Sequence, residues 1–310
     1  MWLNLQIFGA RALWSPYFLT FVIILGIAYY LIAVRYRTKF GDFSKPTGKQ
    51  FAFFYGGLFI LYAVKGSPID LLSHIMLSYH MIQLAFFLLV FPIFMIKGIP
   101  EWIWRKFVNI SFVKPIVKFF TKPLISLLLF NGLFSIYHLP VVFDFAKSSQ
   151  VAHTSFSLIL LFAAFFVWWP LLTPLKELDT IQPLIKMAYI AGNGVMITPA
   201  CVLIIFASTP LFAAYSQDGA WIQAMSLCVP TDVLSDISGM ISGPEMFSPL
   251  STMEDQQLGG ILMKTVQEIT YGILLGRVFF TWFTKASLKV DPMPVNRENI
   301  QNPAVDGYKS

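Results

Sequence analysis

Residues 71–96 read LLSHIMLSYHMIQLAFFLLVFPIFMI, 26 residues without an Asp, Glu, Lys or Arg. A helix needs roughly 20 predominantly apolar residues to cross the hydrocarbon core of a bilayer, so this stretch predicts a transmembrane helix. Further stretches of adequate length lie at 17–34, 49–64, 124–143, 153–175, 184–209 and 258–284. The stretch 49–64 is the shortest and carries Gly56 and Gly57, but basic loops flank the second and third stretches and support a crossing by each. The expected fold is all-α and integral to the membrane: a seven-transmembrane-helix bundle, one polytopic domain over residues 1–290, with a disordered tail at 291–310.

Composition agrees with lipid as the solvent. Of the 310 residues 56% are hydrophobic and 12% charged, the mean hydropathy is +0.68, and 31 are Phe. One soluble core of this size has no room for so many aromatic side chains, whereas helices facing lipid display them without penalty. The charges then set the topology. The loop 35–50 holds Arg35, Arg37, Lys39, Lys45 and Lys49, and the loop 97–122 holds Lys97, Arg105, Lys106, Lys114, Lys118 and Lys122. Both are expected in the cytoplasm. Alternation adds Lys176, Lys186 and the tail, so 17 of the 22 basic residues fall on that side. The segment 211–257 contains Asp218, Asp232, Asp236, Glu245, Glu254 and Asp255 and no Lys or Arg. The N-terminus is expected outside and the C-terminus inside.

The net charge of +6 and pI of 9.2 thus belong to loops that meet anionic lipid headgroups, and no nucleic-acid partner is expected. Trp102, Trp104, Trp168, Trp169 and Trp282 are expected at the inner interface. Residues 2–14 are read as lying along the outer interface, with no cleavable signal pattern. Two cysteines, Cys201 and Cys228, make no CxxC motif and no disulfide framework.

All four histidines fall near predicted outer span ends: His74, His80, His138 and His153. Ser67-Pro68-Ile69-Asp70 supplies an N-cap, a first-turn proline and a first-turn acid, which starts a helix just before His74. The positive end of a helix disfavours an imidazolium and keeps such rings available as metal ligands. Residues 74–81 interleave these imidazoles with Met76 and Met81, a donor set suited to copper, Cu(I) above all. On an uninterrupted helix, six residues rotate the chain by about 240° and raise it by about 9 Å, so His74 and His80 do not share an ion. The expected pairs are Met76 with His80 and His74 with Met81, completed by His138 or His153. The candidate copper ligands are therefore His74, Met76, His80, Met81, His138 and His153. Met225, Met240, Met246 and Met253 lack ligand spacing and read as packing. Lys264 and Glu268, four residues apart at membrane depth, are expected to form an ion pair. No Ser-His-Asp set, carboxylate pair or phosphate loop can be assembled, which argues against an enzyme.

Several segments together carry a family resemblance: Phe8-Gly9-Ala10-Arg11-Ala12-Leu13-Trp14-Ser15-Pro16, His80-Met81-Ile82-Gln83, Tyr137-His138-Leu139-Pro140, Trp168-Trp169-Pro170-Leu171 and Asp255-Gln256-Gln257-Leu258-Gly259-Gly260. In order and spacing the chain resembles the multi-span CtaG proteins of Gram-positive-type bacteria, assembly factors of caa-type cytochrome c oxidase. The resemblance implies a multi-pass protein of the bacterial cell membrane. It would help to form or copper-load the haem-copper centre, with cytochrome c oxidase subunits as partners and the catalytic copper-haem subunit foremost. It does not extend to the single-span copper chaperone that shares the CtaG name, whose cysteine pair is absent here. Some relatives carry a further histidine where this chain has Leu84, which thins the ligand set in the third span. Three other readings of the same residues are a copper permease, a metal-free membrane scaffold and a bis-His haem cytochrome.

Overall fold

The computed structural model describes residues 5–41, 43–230, 233, 234 and 246–287, and among them there is helix and turn but no strand. The predicted tail at 291–310 lies outside the described residues, as do Met240, Asp232, Asp236 and Glu245. Four helices are long and apolar enough to cross a membrane: α1 (Gln6–Arg35), α4 (Leu77–Gly98), α9 (Gln150–Leu172) and α10 (Pro183–Ile205). Two bent pairs raise the number to six, namely α2 (Gly48–Lys65) with α3 (Pro68–Ile75), bent by 41°, and α6 (Val113–Phe120) with α7 (Pro123–Tyr137), bent by 85°. Between them lie α5 (Glu101–Val108), α8 (Pro140–Lys147) and α11 (Asp218–Met225). The last helix, α12 (Thr252–Ser287), has 36 residues but is not among the apolar six, because Lys264, Gln267 and Glu268 sit near its middle. Large apolar side chains such as Phe59, Val141 and Val195 are more than 70% exposed on the outside of the bundle, as lipid-facing groups are.

The third predicted span is not continuous. Met76 is extended (φ −132°, ψ 138°), which ends α3 at Ile75 and starts α4 at Leu77. No Pro or Gly occurs at the break, so its cause lies elsewhere in the chain. A helix start leaves backbone N–H groups without acceptors. Here the Asp255 carboxylate of α12 accepts from Leu77 N at 2.7 Å, from Ser78 N at 3.3 Å and also from Ser78 Oγ. On the other side of the break, Tyr215 OH donates to Ser73 O at 2.6 Å, and Trp221 Nε1 donates to Ile75 O at 3.2 Å. Each end of the interruption is thus capped by side chains more than 130 residues away.

The glycines after Asp255 let α12 come this close. A Cβ on Gly259 would stand 3.2 Å from Leu77 O and from Ser78 Cα, and one on Gly260 would stand 2.6 Å from Ile205 Cγ1. Between them and Asp255, Gln256 accepts from Leu211 N at 2.7 Å and donates to Ile204 O at 3.2 Å, closing the end of α10.

Further along, α4 contains a π-turn at Phe86–Val90 followed by Pro92. Proline lacks the N–H that would reach Leu88 O, and the buried Trp168 indole donates to that carbonyl at 3.0 Å instead. Trp168 and Trp169 are both buried in the bundle, near the end of α9. Three span ends also move. The fourth helix stops at Tyr137, where residues 138 and 139 turn into α8; the sixth stops at Ile205; and the first continues back to Gln6 through a kink at Ser15 (φ 33°).

Two apolar layers result. Phe130, Phe134, Val167, Trp168, Ile197 and Met263 fill the bundle. Leu5, Phe8, Leu71, Ile75, Trp221, Met225 and Phe247 form a second layer, a cap across one end. The described part of 211–257 is thus a packed lid over α3, not the solvated connection its acidity resembles. Losing an N-cap typically costs about 0.5–2 kcal/mol, and a buried N–H left unpaired costs about 1–3 kcal/mol. Asp255→Ala is expected to destabilise the detergent-purified protein by about 2 kcal/mol and Asp255→Asn by less, as read from thermal unfolding. Equal melting of Asp255→Ala and wild type would remove the capping role.

A buried histidine chamber beneath the cap

The break at Met76 changes which side chains can meet. On a straight helix His74 and His80 would face apart, and His74 would sit beyond the first turn of a long helix. Instead His74 lies in the last turn of the short α3, which reverses the helix-dipole argument made for it, while His153 does lie in the first turn of α9. The two imidazoles are in edge-to-face contact, with ring centroids 5.2 Å apart. His74 Nδ1 is 3.2 Å from Ser73 Oγ, and His153 Nδ1 is buried with no partner among the described residues.

His80 and His138 form a second group. His80 Nε2 lies 3.4 Å from Tyr137 OH, and its ring packs on Phe143 at 5.1 Å, while Nδ1 is buried and unpartnered. His138 Nδ1 lies 2.7 Å from Phe134 O. A carbonyl oxygen only accepts, so this contact assigns the proton to Nδ1, and a neutral ring then carries its lone pair on Nε2. That Nε2 is buried and has no hydrogen-bond partner. Tyr137 and Phe143 touch both rings and stand between them.

The two groups join through Ser73. Its carbonyl accepts from Tyr215 OH at 2.6 Å and from Lys147 Nζ at 3.4 Å, and Lys147 also lies over the Tyr215 and Phe143 rings at 5.6 and 5.9 Å. Asp144 holds Tyr215 in place by accepting from Ala213 N and Ala214 N at 3.1 and 3.0 Å. On the far side of His74, Gln83 Nε2 donates to Asp70 Oδ1 at 2.6 Å and to Val64 O, which locks the α2–α3 bend against α4.

The sequence-derived ligands therefore separate into two kinds. The four imidazoles gather between α3, α4, α7 and α9. The thioethers go elsewhere: Met76 into the cap layer, and Met81 against Gly259 of α12. Among the described residues no three of His, Cys, Asp and Glu converge as a metal-binding group. Lys264 Nζ is 2.7 Å from Glu268 Oε1, far from the chamber along α12. Asp144, Lys147, Tyr215, Trp221 and Asp255 escaped sequence reasoning, although Asp255 stands in one of the family-like segments. None has a local spacing signal, because each acts across the fold.

Lys147 is 1% exposed and lies between spanning helices. Burial pushes its ammonium down to about 7, Lys65 adds repulsion, and Asp70 and Cys228 oppose the shift. An unfolded chain keeps the proton up to about pH 10.5 while the folded one releases it near 7. The contribution of Lys147 to stability therefore rises with pH between these values, by up to about 1.4 kcal/mol per unit, and is flat below about 7. Lys147→Met is expected to flatten that slope and to melt higher at pH 7. An unchanged pH profile in the variant would assign the dependence to another group.

The sequence model of the family described as cytochrome c oxidase caa3 assembly factor (Caa3_CtaG) matches residues 27–285 of this chain. Searches of curated proteins and of solved structures returned no match. The matched region takes in α2 to α11 whole and α12 up to residue 285, with every chamber histidine and the Asp255–Gly260 segment that caps the broken helix. With most of its length covered, the chain belongs to the cytochrome c oxidase caa3 assembly factors.

Proposed function

We propose that this assembly factor carries copper toward the haem-copper centre of the oxidase's catalytic subunit, with the buried histidine chamber as the transfer point. The observation that carries this reading is the lone pair on His138 Nε2, buried and unpartnered, beside two further orphaned ring nitrogens on His80 and His153. An unpaired polar atom in an apolar interior costs free energy, and a borderline-to-soft cation bound by imidazole would offset it. Copper is here the cargo, not a resident cofactor. His74 with His153 makes one station, His80 and His138, separated by Tyr137 and Phe143, offer single imidazoles beside it, and Met76 and Met81 remain candidates only if their side chains turn from the layers they now fill.

The bundle is read as seven spans, α1, α2, α4, α7, α9, α10 and α12, with the cap outside and the C-terminus in the cytoplasm of a bacterial cell. The basic loops at the end opposite the cap support this orientation, and the histidines then lie nearer the side from which a buried oxidase copper centre is most simply reached. A metal-free scaffold is the second reading, favoured by the His80–Tyr137 and His138–Phe134 contacts. A haem sandwiched by His74 and His153 fits poorly, because their rings already touch edge to face.

Elemental analysis of detergent-purified protein loaded with Cu(I) separates delivery from scaffold. Wild type is expected to hold about one copper or more per chain, the fourfold His→Ala variant almost none, and His80→Ala is expected to lower active oxidase at unchanged protein level. Copper-free wild type with an intact fold would leave the scaffold reading. For topology, Ser149→Cys is expected to react with an impermeant maleimide on intact cells, and Lys114→Cys only after lysis; the reverse pattern would invert the orientation.

A further inference from the structure

Away from the chamber, α10 and α12 leave a lateral groove of about 280 Å³, lined by Ala191, Gly194, Thr198, Lys264, Glu268 and Gly272 among others. Its depth follows from the helix geometry. Asp255 marks the capped end of α4, and Lys264 and Glu268 lie nine and thirteen residues further along α12, about 13 and 20 Å from it. Since α4 itself runs about 33 Å, the pair sits near mid-membrane.

Lys264 is well served there. Its ammonium donates to Thr198 Oγ1 at 2.9 Å and to Gln267 Oε1 at 3.0 Å, approaches Gly194 O at 3.5 Å, and has Glu268 Oε1 at 2.7 Å. Glu268 is not. Its side chain is 62% exposed and Lys264 is its only partner among the described residues. A carboxylate displayed to lipid at that depth is costly, and such groups normally face protein or water. One and two turns further along the same stripe stand Gly272 and Gly276, where an added Cβ would meet nothing within 4 Å. Two glycines four apart on an open helix face let a second backbone approach closely. Carboxylate and glycines thus share one unfilled face.

We propose that this groove receives a transmembrane helix of the oxidase, one that sets small residues against Gly272 and Gly276 and brings a hydrogen-bond donor or a basic side chain to Glu268. The proposal rests on the assembly role but not on copper. A second copy of the chain is the poorer occupant. Two-fold pairing across this stripe would place the same patch on itself, one Lys264–Glu268 pair against another, and would bring neither carboxylate a new donor, since each Lys264 is engaged with its own Thr198, Gln267 and Glu268. Lipid chains fill volume but bring no donor.

The test uses the full chain in its own membranes, with a benzophenone amino acid at Leu275 in the groove or at Phe59 on the exposed face of α2, and antibodies to the oxidase subunits. An oxidase adduct from position 275 and not from 59 is expected. Glu268→Gln should cut its yield at least fivefold, since Lys264 keeps its other acceptors. Gly276→Leu, whose Cβ meets nothing within 4 Å, should abolish it at unchanged chain level. An adduct with a second copy, lipid adducts alone, or a yield indifferent to both substitutions would overturn the groove assignment. Co-purification of the oxidase with the chain in mild detergent tells the two failures apart. Oxidase retained but not crosslinked from 275 overturns the groove and leaves the assembly role, whereas oxidase lost from the unsubstituted chain overturns both.

Discussion

The Asp255 carboxylate, set against the first two N–H groups of α4, is the contact on which the arrangement of the cap end depends. Without an acceptor there, a helix start buried in a low-dielectric interior would carry unpaired donors, and the chain from Leu71 onward would gain by continuing as one helix. With it, α3 swings away from α4, the carbonyls of Ser73 and Ile75 come free, and Tyr215, Lys147 and Trp221 take them. The cap folds because the break offers it acceptors, and the break persists because the cap fills them. The small residues at 259 and 260 make the approach sterically possible, so four consecutive features of one segment, the acid, the amide and two glycines, serve one junction.

The chamber inherits its chemistry from that junction. Placing His74 at the end of a short helix turns its ring toward His153, while α4 carries His80 toward Tyr137 and Phe143. Polar side chains at such depth are tolerated when they pair, and most here do. Around the chamber, among the described residues, the exceptions are three imidazole nitrogens and the Gln83 carbonyl. A Lys147 that gives up its proton near 7 fits the same pattern, since a permanent ammonium beside four imidazoles would repel any cation brought there.

Family membership was legible in the sequence through segments whose physical meaning it did not disclose. His80-Met81-Ile82-Gln83 carried the resemblance and supplied two of the candidate ligands. In the fold, His80 faces the chamber, Met81 packs on Gly259, and Gln83 pins the α2–α3 bend through Val64 and Asp70. Trp168-Trp169-Pro170-Leu171 looked like an interfacial belt, yet Trp168 repairs the hydrogen bond that Pro92 cannot make. The roles of Gln83 and Trp168 were hidden for one reason: each side chain answers to a backbone group far away in sequence, for which spacing carries no signal.

By itself the sequence determined that the chain is helical and apolar enough to span a membrane several times, that its histidines fall at one set of helix ends, and that Lys264 and Glu268 lie four apart on one helix face. These follow from composition, period and charge, which act locally. Only the tertiary structure decided that the helix breaks at Met76, which imidazoles meet, that the methionines turn away from them, and that Glu268 is left facing outward. The reason is the price of an unpaired backbone group in an apolar medium: where a remote carboxylate or indole can meet it, the local preference for an unbroken helix gives way.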